Sequence, residues 1–219
     1  MPALAAVWLA LAACAVQAEP VLLDPTVGAH RPPVAYLEDP GGALSVDEVA
    51  AKRDQFIAAR TSTANFGFTD SAYWFRLELA RAADDRRSWY LEIGYPPLDS
   101  IELYWKRAGS DKKGGYERLI AGDQIPFGSR AIREPQFILP LELAPGQTNE
   151  FLLRVRSVGA MTVPLAVLSD QELERTRSTD HLPYGLFFGT LLALALYNLL
   201  LFLSIRNASY LYYVAYVIT

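Results

Sequence analysis

The stretch Trp74-Phe75-Arg76-Leu77-Glu78-Leu79 puts Phe75, Leu77 and Leu79 on one side of an extended chain and Trp74, Arg76 and Glu78 on the other. Side chains of a strand alternate between the two faces of its sheet, so this period of two reads as a half-buried β-strand. The same pattern recurs in both directions. Trp89, Leu91 and Ile93 alternate with Tyr90 and Glu92, and Ile101, Leu103 and Trp105 alternate with Glu102, Tyr104 and Lys106. Further on come Phe137-Leu139-Leu141-Leu143, then Phe151-Leu153-Val155 against Arg154 and Arg156, then Val163-Leu165-Val167.

Glycine and proline mark the joints between these runs: Gly94-Tyr95-Pro96-Pro97, Gly109 to Gly115, Gly128-Ser129 and Pro145-Gly146-Gln147. Both residues weaken strand interiors and collect in connections. Several short strands at this spacing predict a mainly β fold, a jelly-roll β-sandwich. About 160 residues suffice for one sizeable core. Helical signals are sparse. Ser45 and Glu48 form a capping box that predicts a short helix to about Arg53. Ser169 and Glu172 open a second helical segment through Arg177, read as a link toward the C-terminal region.

That region changes solvent. Pro183 to Ile205 is 23 residues without a charged side chain. At about 1.5 Å per residue it matches the roughly 30 Å hydrocarbon core of a bilayer, so a transmembrane α-helix is expected after the sandwich. Met1 to Ala18 is also uncharged and ends in a small-residue cleavage pattern, Val16 and Ala18, which reads as a signal peptide. Leu11-Ala12-Ala13-Cys14 also resembles a lipoprotein signal, with Cys14 as the lipidated residue. After cleavage at Ala18 no cysteine remains, which excludes disulfides and thiol chemistry. The expected segments are 1–18 signal peptide, 19–168 sandwich, 169–181 juxtamembrane helix, 182–205 membrane helix, 206–209 connector and 210–219 the opening of a second membrane helix. Ten residues from Tyr210 span only about 15 Å, so further chain is expected beyond Thr219.

All 24 acidic residues and 19 of the 20 basic ones lie between Glu19 and His181, a formal charge of −5. A mildly acidic surface argues against nucleic acid as a partner, which calls for a basic stripe. Arg206 holds the positive charge in the short connector, consistent with that side facing the cytoplasm.

Chemistry-bearing patterns are few. His30 and His181 sit in no metal-ligand or base–nucleophile spacing, and the loop aspartates form no contiguous calcium loop. No catalytic residue, metal or cofactor is expected. The outward aromatics are more suggestive. Trp74, Tyr90 and Tyr104 fall on the polar sides of their strands beside Arg76, Glu92 and Arg154. Aromatic faces flanked by hydrogen-bonding groups suit a small ligand such as a sugar ring, whereas cross-strand packing or coverage by a loop gives the same pattern. In the membrane segment, Gly185 and Gly189 form a Gly-x-x-x-Gly that favours close helix packing, within a bundle or in a homodimer. Asn198 is expected to hydrogen-bond a neighbouring helix.

Three stretches carry a resemblance: Asn65 to Leu77, Trp89 to Tyr104 with Tyr95-Pro96-Pro97-Leu98-Asp99 inside it, and Gly122-Asp123-Gln124-Ile125-Pro126-Phe127 with Arg130. They resemble the type 2 extracellular domain of the bacterial seven-transmembrane receptors with diverse intracellular signalling modules (7TMR-DISM). Tyr184 to Gly189, Tyr197-Asn198 and Arg206 to Tyr213 resemble the start of that family's seven-helix region. The resemblance implies a periplasmic sandwich similar to carbohydrate-binding modules, anchored in the inner membrane, sensing a ligand for a cytoplasmic output module. A membrane-anchored glycan hydrolase and a scaffold for a periplasmic partner protein remain as alternatives.

Overall fold

The computed structural model describes residues 20–59, 63–106 and 115–218; the expected signal peptide and the Cys14 lipidation site lie outside them. The chain forms two compact units, one ending at Asp170 and the other beginning at Gln171.

The first unit is a sandwich of two mainly antiparallel sheets. Its strands are β1 (Val21–Leu23), β2 (Ala29–His30), β3 (Ala35–Asp39), β4 (Ile57–Ala58), β5 (Thr63–Phe68), β6 (Ala72–Arg81), β7 (Trp89–Ile93), β8 (Ser100–Lys106), β9 (Tyr116–Ala121), β10 (Phe137–Leu141), β11 (Thr148–Arg156) and β12 (Ala160–Ser169). The larger sheet runs β4-β3-β6-β11-β8-β9, with β1 added parallel to β6. The smaller runs β10-β7-β12-β2, with β5 also paired to β12. The β5–β12 ladder shifts register between Met161 and Thr162.

The core lies between the sheets and is built from the residues that the alternation predicts. Phe75, Leu77 and Leu79 from β6 and Ile101 and Leu103 from β8 are buried with Phe151, Leu153 and Val155 from β11. Leu91 and Ile93 from β7 meet them from the other sheet with Val163, Leu165 and Val167 from β12. Each such side chain stabilises the fold by about 1.5–3 kcal/mol on full burial. Trp89 joins the core, and its indole Nε1 donates to Asp85 Oδ2 at 2.8 Å, which satisfies the buried polar atom of an otherwise apolar ring.

Helix α1 (Val46–Ala51) follows the expected capping box: Ser45 Oγ accepts from the Glu48 amide, and Glu48 Oε2 accepts from the Ser45 amide at 2.8 Å. The helix stops at Ala51, two residues short of expectation, and a tighter turn over Arg53–Gln55 follows. Val49 is its buried residue.

One glycine fixes a crossing of the chain. Gly122 has φ 141°, and a Cβ at that position would stand 2.2 Å from the Asp99 carbonyl oxygen. The segment past β9 is therefore laid directly on the turn before β8, and Asp123 N donates to Leu98 O at 2.9 Å across it.

Helix α2 runs from Asp170, the last residue of the first unit, to Ile205, 36 residues that merge the expected linker and membrane segments, with Pro183 inside. Helix α3 (Ala208–Ile218) begins two residues later, so the connector is Arg206-Asn207 rather than 206–209. Arg206 has φ 60°, and Asn207 Oδ1 accepts from Ser209 N at 3.0 Å, which caps the new helix.

Gly122→Ala is expected to destabilise the sandwich by about 2–3 kcal/mol, because both the backbone conformation and the Asp99 carbonyl oppose a side chain. Gly128→Ala, with open space at the Cβ position, is expected to stay within about 0.5 kcal/mol. Denaturant unfolding of both variants checks the contrast.

Candidate functional site

β11 lies between β6 and β8, and the pleat sends Leu152 and Arg154 to the outer surface of the large sheet. Arg154 stands directly opposite Trp74 on β6 and opposite Glu102 on β8. Its Nη1 donates to Glu102 Oε1 at 2.7 Å, its Nη2 donates to the Gly42 carbonyl at 2.8 Å, and the guanidinium lies 5.9 Å from the Trp74 ring centre. Glu102 also accepts from the Tyr104 hydroxyl and stands 3.5 Å from Arg118. Arg76 pairs with Glu78 and, at 2.8 Å, with Glu150, which also holds Arg53. The polar side of these strands is a network of ion pairs within and between strands, joined by Arg53 from the turn after α1.

The aromatics within that network are not free. Trp74 is 1% exposed and packs with Val49 and Leu152, flanked by Leu44, Val46, Phe56, Tyr104 and Tyr116. Helix α1 and the turn after it cover this outer surface, and the Arg53–Glu150 pair ties the cover to β11. Trp74 and Tyr104 lie 5.6 Å apart, tilted by 31°, as packing partners. The expectation of an open platform at Trp74 is therefore corrected: an aromatic on the polar side of a strand has been buried by a second layer. Trp74 Nε1 and Arg154 Nε have no hydrogen-bond partner among the described residues, so the indole is positioned by packing alone.

A second correction concerns which residues meet. Trp74, Arg76, Tyr104 and Arg154 belong to the large sheet, whereas Tyr90 and Glu92 lie on β7 of the small one. Both sets point away from the core, so they occupy opposite outer surfaces of a two-layer structure whose sheets stack roughly 10 Å apart. The six residues form no single site.

What the fold does bring together is a cleft of about 390 Å³ at one end of the sandwich, lined by Asp70, Asp99, Ser100, Gln124, Arg154, Arg156, Ser157 and Val158. Of the six expected ligand residues, Arg154 alone is in this lining. Asp70 precedes β6, Asp99 and Ser100 begin β8 and its turn, Gln124 follows the Gly122 crossing, and Ser157 and Val158 form the β11–β12 turn. Asp99 Oδ2 accepts from Val158 N at 2.6 Å, Ser157 Oγ donates to Pro97 O at 3.4 Å, and Gly159 N donates to Ser157 Oγ at 3.3 Å. These bonds hold two walls in fixed relation. Arg154 is anchored from behind by the Asp39–Leu44 loop. There the buried Asp39 carboxylate accepts from Ala43 N and Leu44 N, and Gly42, at φ 61°, turns its carbonyl to the guanidinium. Alternation could not reveal this cleft, because its residues come from strand ends and turns. Its signal in the sequence was the coincidence of Asp70, Asp99 and Gln124 with the three stretches that carry the family resemblance.

Residues 31–169 match the family model described as 7TMR-DISM extracellular 2, and residues 180–219 match that described as 7TM diverse intracellular signalling. The chain belongs to the 7TMR-DISM family. Its two regions are the extracellular and membrane domains of a sensory receptor, with the sandwich facing outward. Among curated proteins none matches the chain. A solved structure from work on the promiscuous specificity of carbohydrate-binding modules of the β-sandwich superfamily is 9% identical, with a TM-score of 0.26, over 66% of this chain and 52% of that one. This chain thus spans about half of that structure's length.

Arg130, part of the 7TMR-DISM resemblance, pairs with no carboxylate in the described structure. Its Nη1 donates to Glu134 O at 2.9 Å, and its guanidinium lies 5.0 Å from the Phe127 ring centre and 4.6 Å from that of Phe137. This arginine braces a loop. In the receptor's membrane unit, Gly185 and Gly189 have open space at their Cβ positions. Asn198 Nδ2 donates to Leu194 O at 2.9 Å within its own helix.

Two outcomes test this geometry. Trp74→Ala is expected to cost about 3–5 kcal/mol of sandwich stability, measurable by denaturant unfolding; an exposed platform would tolerate the change. Burial, and then the bond to Glu102, push the Tyr104 phenol above its ordinary value of 10.0. Its contribution to stability is full below about pH 10 and is lost as pH rises through the folded value, because the unfolded chain releases the proton first. Phenolate absorbance and unfolding across alkaline pH should show this loss, and Tyr104→Phe should reduce it.

Proposed function

We propose that this chain is the ligand-sensing part of a receptor in a bacterial inner membrane, with its sandwich in the periplasm. A small ligand enters the loop-end cleft, and its binding is passed through the membrane helices to an output module on the cytoplasmic side. The chain acts in this reading by binding rather than by turnover. Carbohydrate is one ligand class that a polar cleft of this kind accommodates. The observation that carries the proposal is the convergence of Asp70, Asp99 and Gln124, one from each resemblance-bearing stretch, on a single cleft.

The path for a signal follows the chain. Val158 belongs to the cleft wall, β12 starts two residues later at Ala160, and its last residue, Ser169, is followed at once by α2. Arg154 offers a second link, since it lines the cleft and holds both Glu102 and the Gly42 loop. A ligand shifts a receptor only through different affinities for its two states. Competition for the Arg154 guanidinium is one source of such a difference.

Accessibility of a single cysteine tests the placement. Gly128 is exposed with open space at its Cβ position, and Cys14 is the sole native cysteine. In a Cys14→Ser background, Gly128→Cys is expected to react with a membrane-impermeant maleimide once the outer membrane is permeabilised and the inner membrane is intact. Reaction only after lysis would place the sandwich in the cytoplasm and overturn the proposal.

A further inference from the structure

The chemistry of the cleft narrows what it takes; the inference rests on the sensing role proposed above. Among the described residues no aromatic side chain belongs to its lining. The lining instead offers charges of both signs. Arg154 and Asp99 are already engaged, the first by Glu102 and the Gly42 carbonyl, the second by the Val158 amide. Asp70 and Arg156 are exposed, and among the described residues neither side chain has a hydrogen bond or ion pair. One free carboxylate and one free guanidinium thus share a cleft with the neutral hydrogen-bonding groups Ser100, Gln124 and Ser157.

Apolar surface stands next to this polar lining. Val158, in the cleft wall, is 76% exposed. Phe68 is 85% exposed, the largest value among the large hydrophobic side chains of the sandwich. It precedes Asp70 by two residues and stands opposite Ala160, itself two residues past Val158. Scattered exposed apolar residues are ordinary, but Val158 belongs to a cleft at the small end of the range for ligand sites, and Phe68 is close to that cleft along the chain and in strand register.

We infer that the cleft takes a small zwitterion, an α-amino acid with a bulky apolar side chain. Its carboxylate meets the Arg156 guanidinium in a fork geometry, its ammonium meets the Asp70 carboxylate, and its side chain lies on Val158 and Phe68. A ligand carrying both charges leaves neither protein charge unpaired on closure. A neutral polyol leaves both without a counter-charge, and a simple anion leaves Asp70 facing like charge.

The test uses the full chain in lipid nanodiscs, titrated calorimetrically with the twenty common amino acids, their N-acetyl and amide derivatives, and neutral mono- and disaccharides. Expected is binding of one or more of leucine, isoleucine, valine, methionine and phenylalanine, with loss of about tenfold or more in affinity for either blocked derivative. Arg156→Ala and Asp70→Asn should each weaken binding by a similar factor while the unfolding midpoint stays unchanged, because both side chains are exposed. Phe68→Ser should weaken binding of the apolar amino acid. Equal binding of blocked and free forms, binding of sugars alone, or no binding by any amino acid overturns the inference. Sugar binding lost on Arg156→Ala would leave the sensing role standing with a different ligand. Cytoplasmic labelling of Gly128→Cys would remove the sensing role itself.

Discussion

The large sheet has to bury both of its faces along β6 and β11, and much of the sandwich's arrangement follows from that requirement. On the inner side Phe75 and Leu153 meet the small sheet. On the outer side Trp74 and Leu152 are equally apolar and cannot be left in water, so the chain between β3 and β4 folds back as α1 and sets Val49 on them. Placing that cover needs a tight loop, built on the buried Asp39 carboxylate and the left-handed Gly42. The loop in turn presents the carbonyl that holds Arg154. A packing demand at one tryptophan thereby determines where the guanidinium at the cleft stands.

Much of the fold was legible in the sequence. Alternation at Phe75-Leu77-Leu79 and Ile101-Leu103 named core residues correctly, because a pleated strand has only two faces and one must be dry. The Ser45–Glu48 box gave the start of α1, since its bonds are local. Two things were not local. The pattern on a strand says which residues share a face of that strand, but not which sheet the strand joins, so Tyr90 and Glu92 were grouped with residues on the far side of the molecule. It also says nothing of a third layer, so Trp74 looked available when α1 covers it. The cleft was hidden for a related reason: turn residues such as Asp99 and Ser157 have no periodicity, and they meet through chain crossings like that at Gly122.

Arg154 joins the two regions that the sequence suggested separately, the polar face of the large sheet and the turn residues of the family resemblance. Its charge is balanced by Glu102, its position is set by the Gly42 carbonyl, and its flank rests near Trp74. Beside it Arg156 is unpaired among the described residues. Arg154 is tied down and Arg156, two residues along the same strand, is not, a difference that comes from the bonds of Arg154 to Glu102 and to the Gly42 carbonyl.

The polar side chains of the apolar segment have a further consequence. Thr190 Oγ1 donates to Leu186 O at 2.8 Å, and Asn198 Nδ2 donates to Leu194 O. Each of these two side chains places one donor on a carbonyl one turn back along its own helix, where hydrocarbon offers no alternative acceptor. Two donors of the segment are thereby met without a neighbouring helix, which lowers the cost of placing them in hydrocarbon. What stays open on this helix is the remaining hydrogen-bonding capacity of Asn198 and the bare backbone at Gly185 and Gly189, the features that let a second helix approach closely.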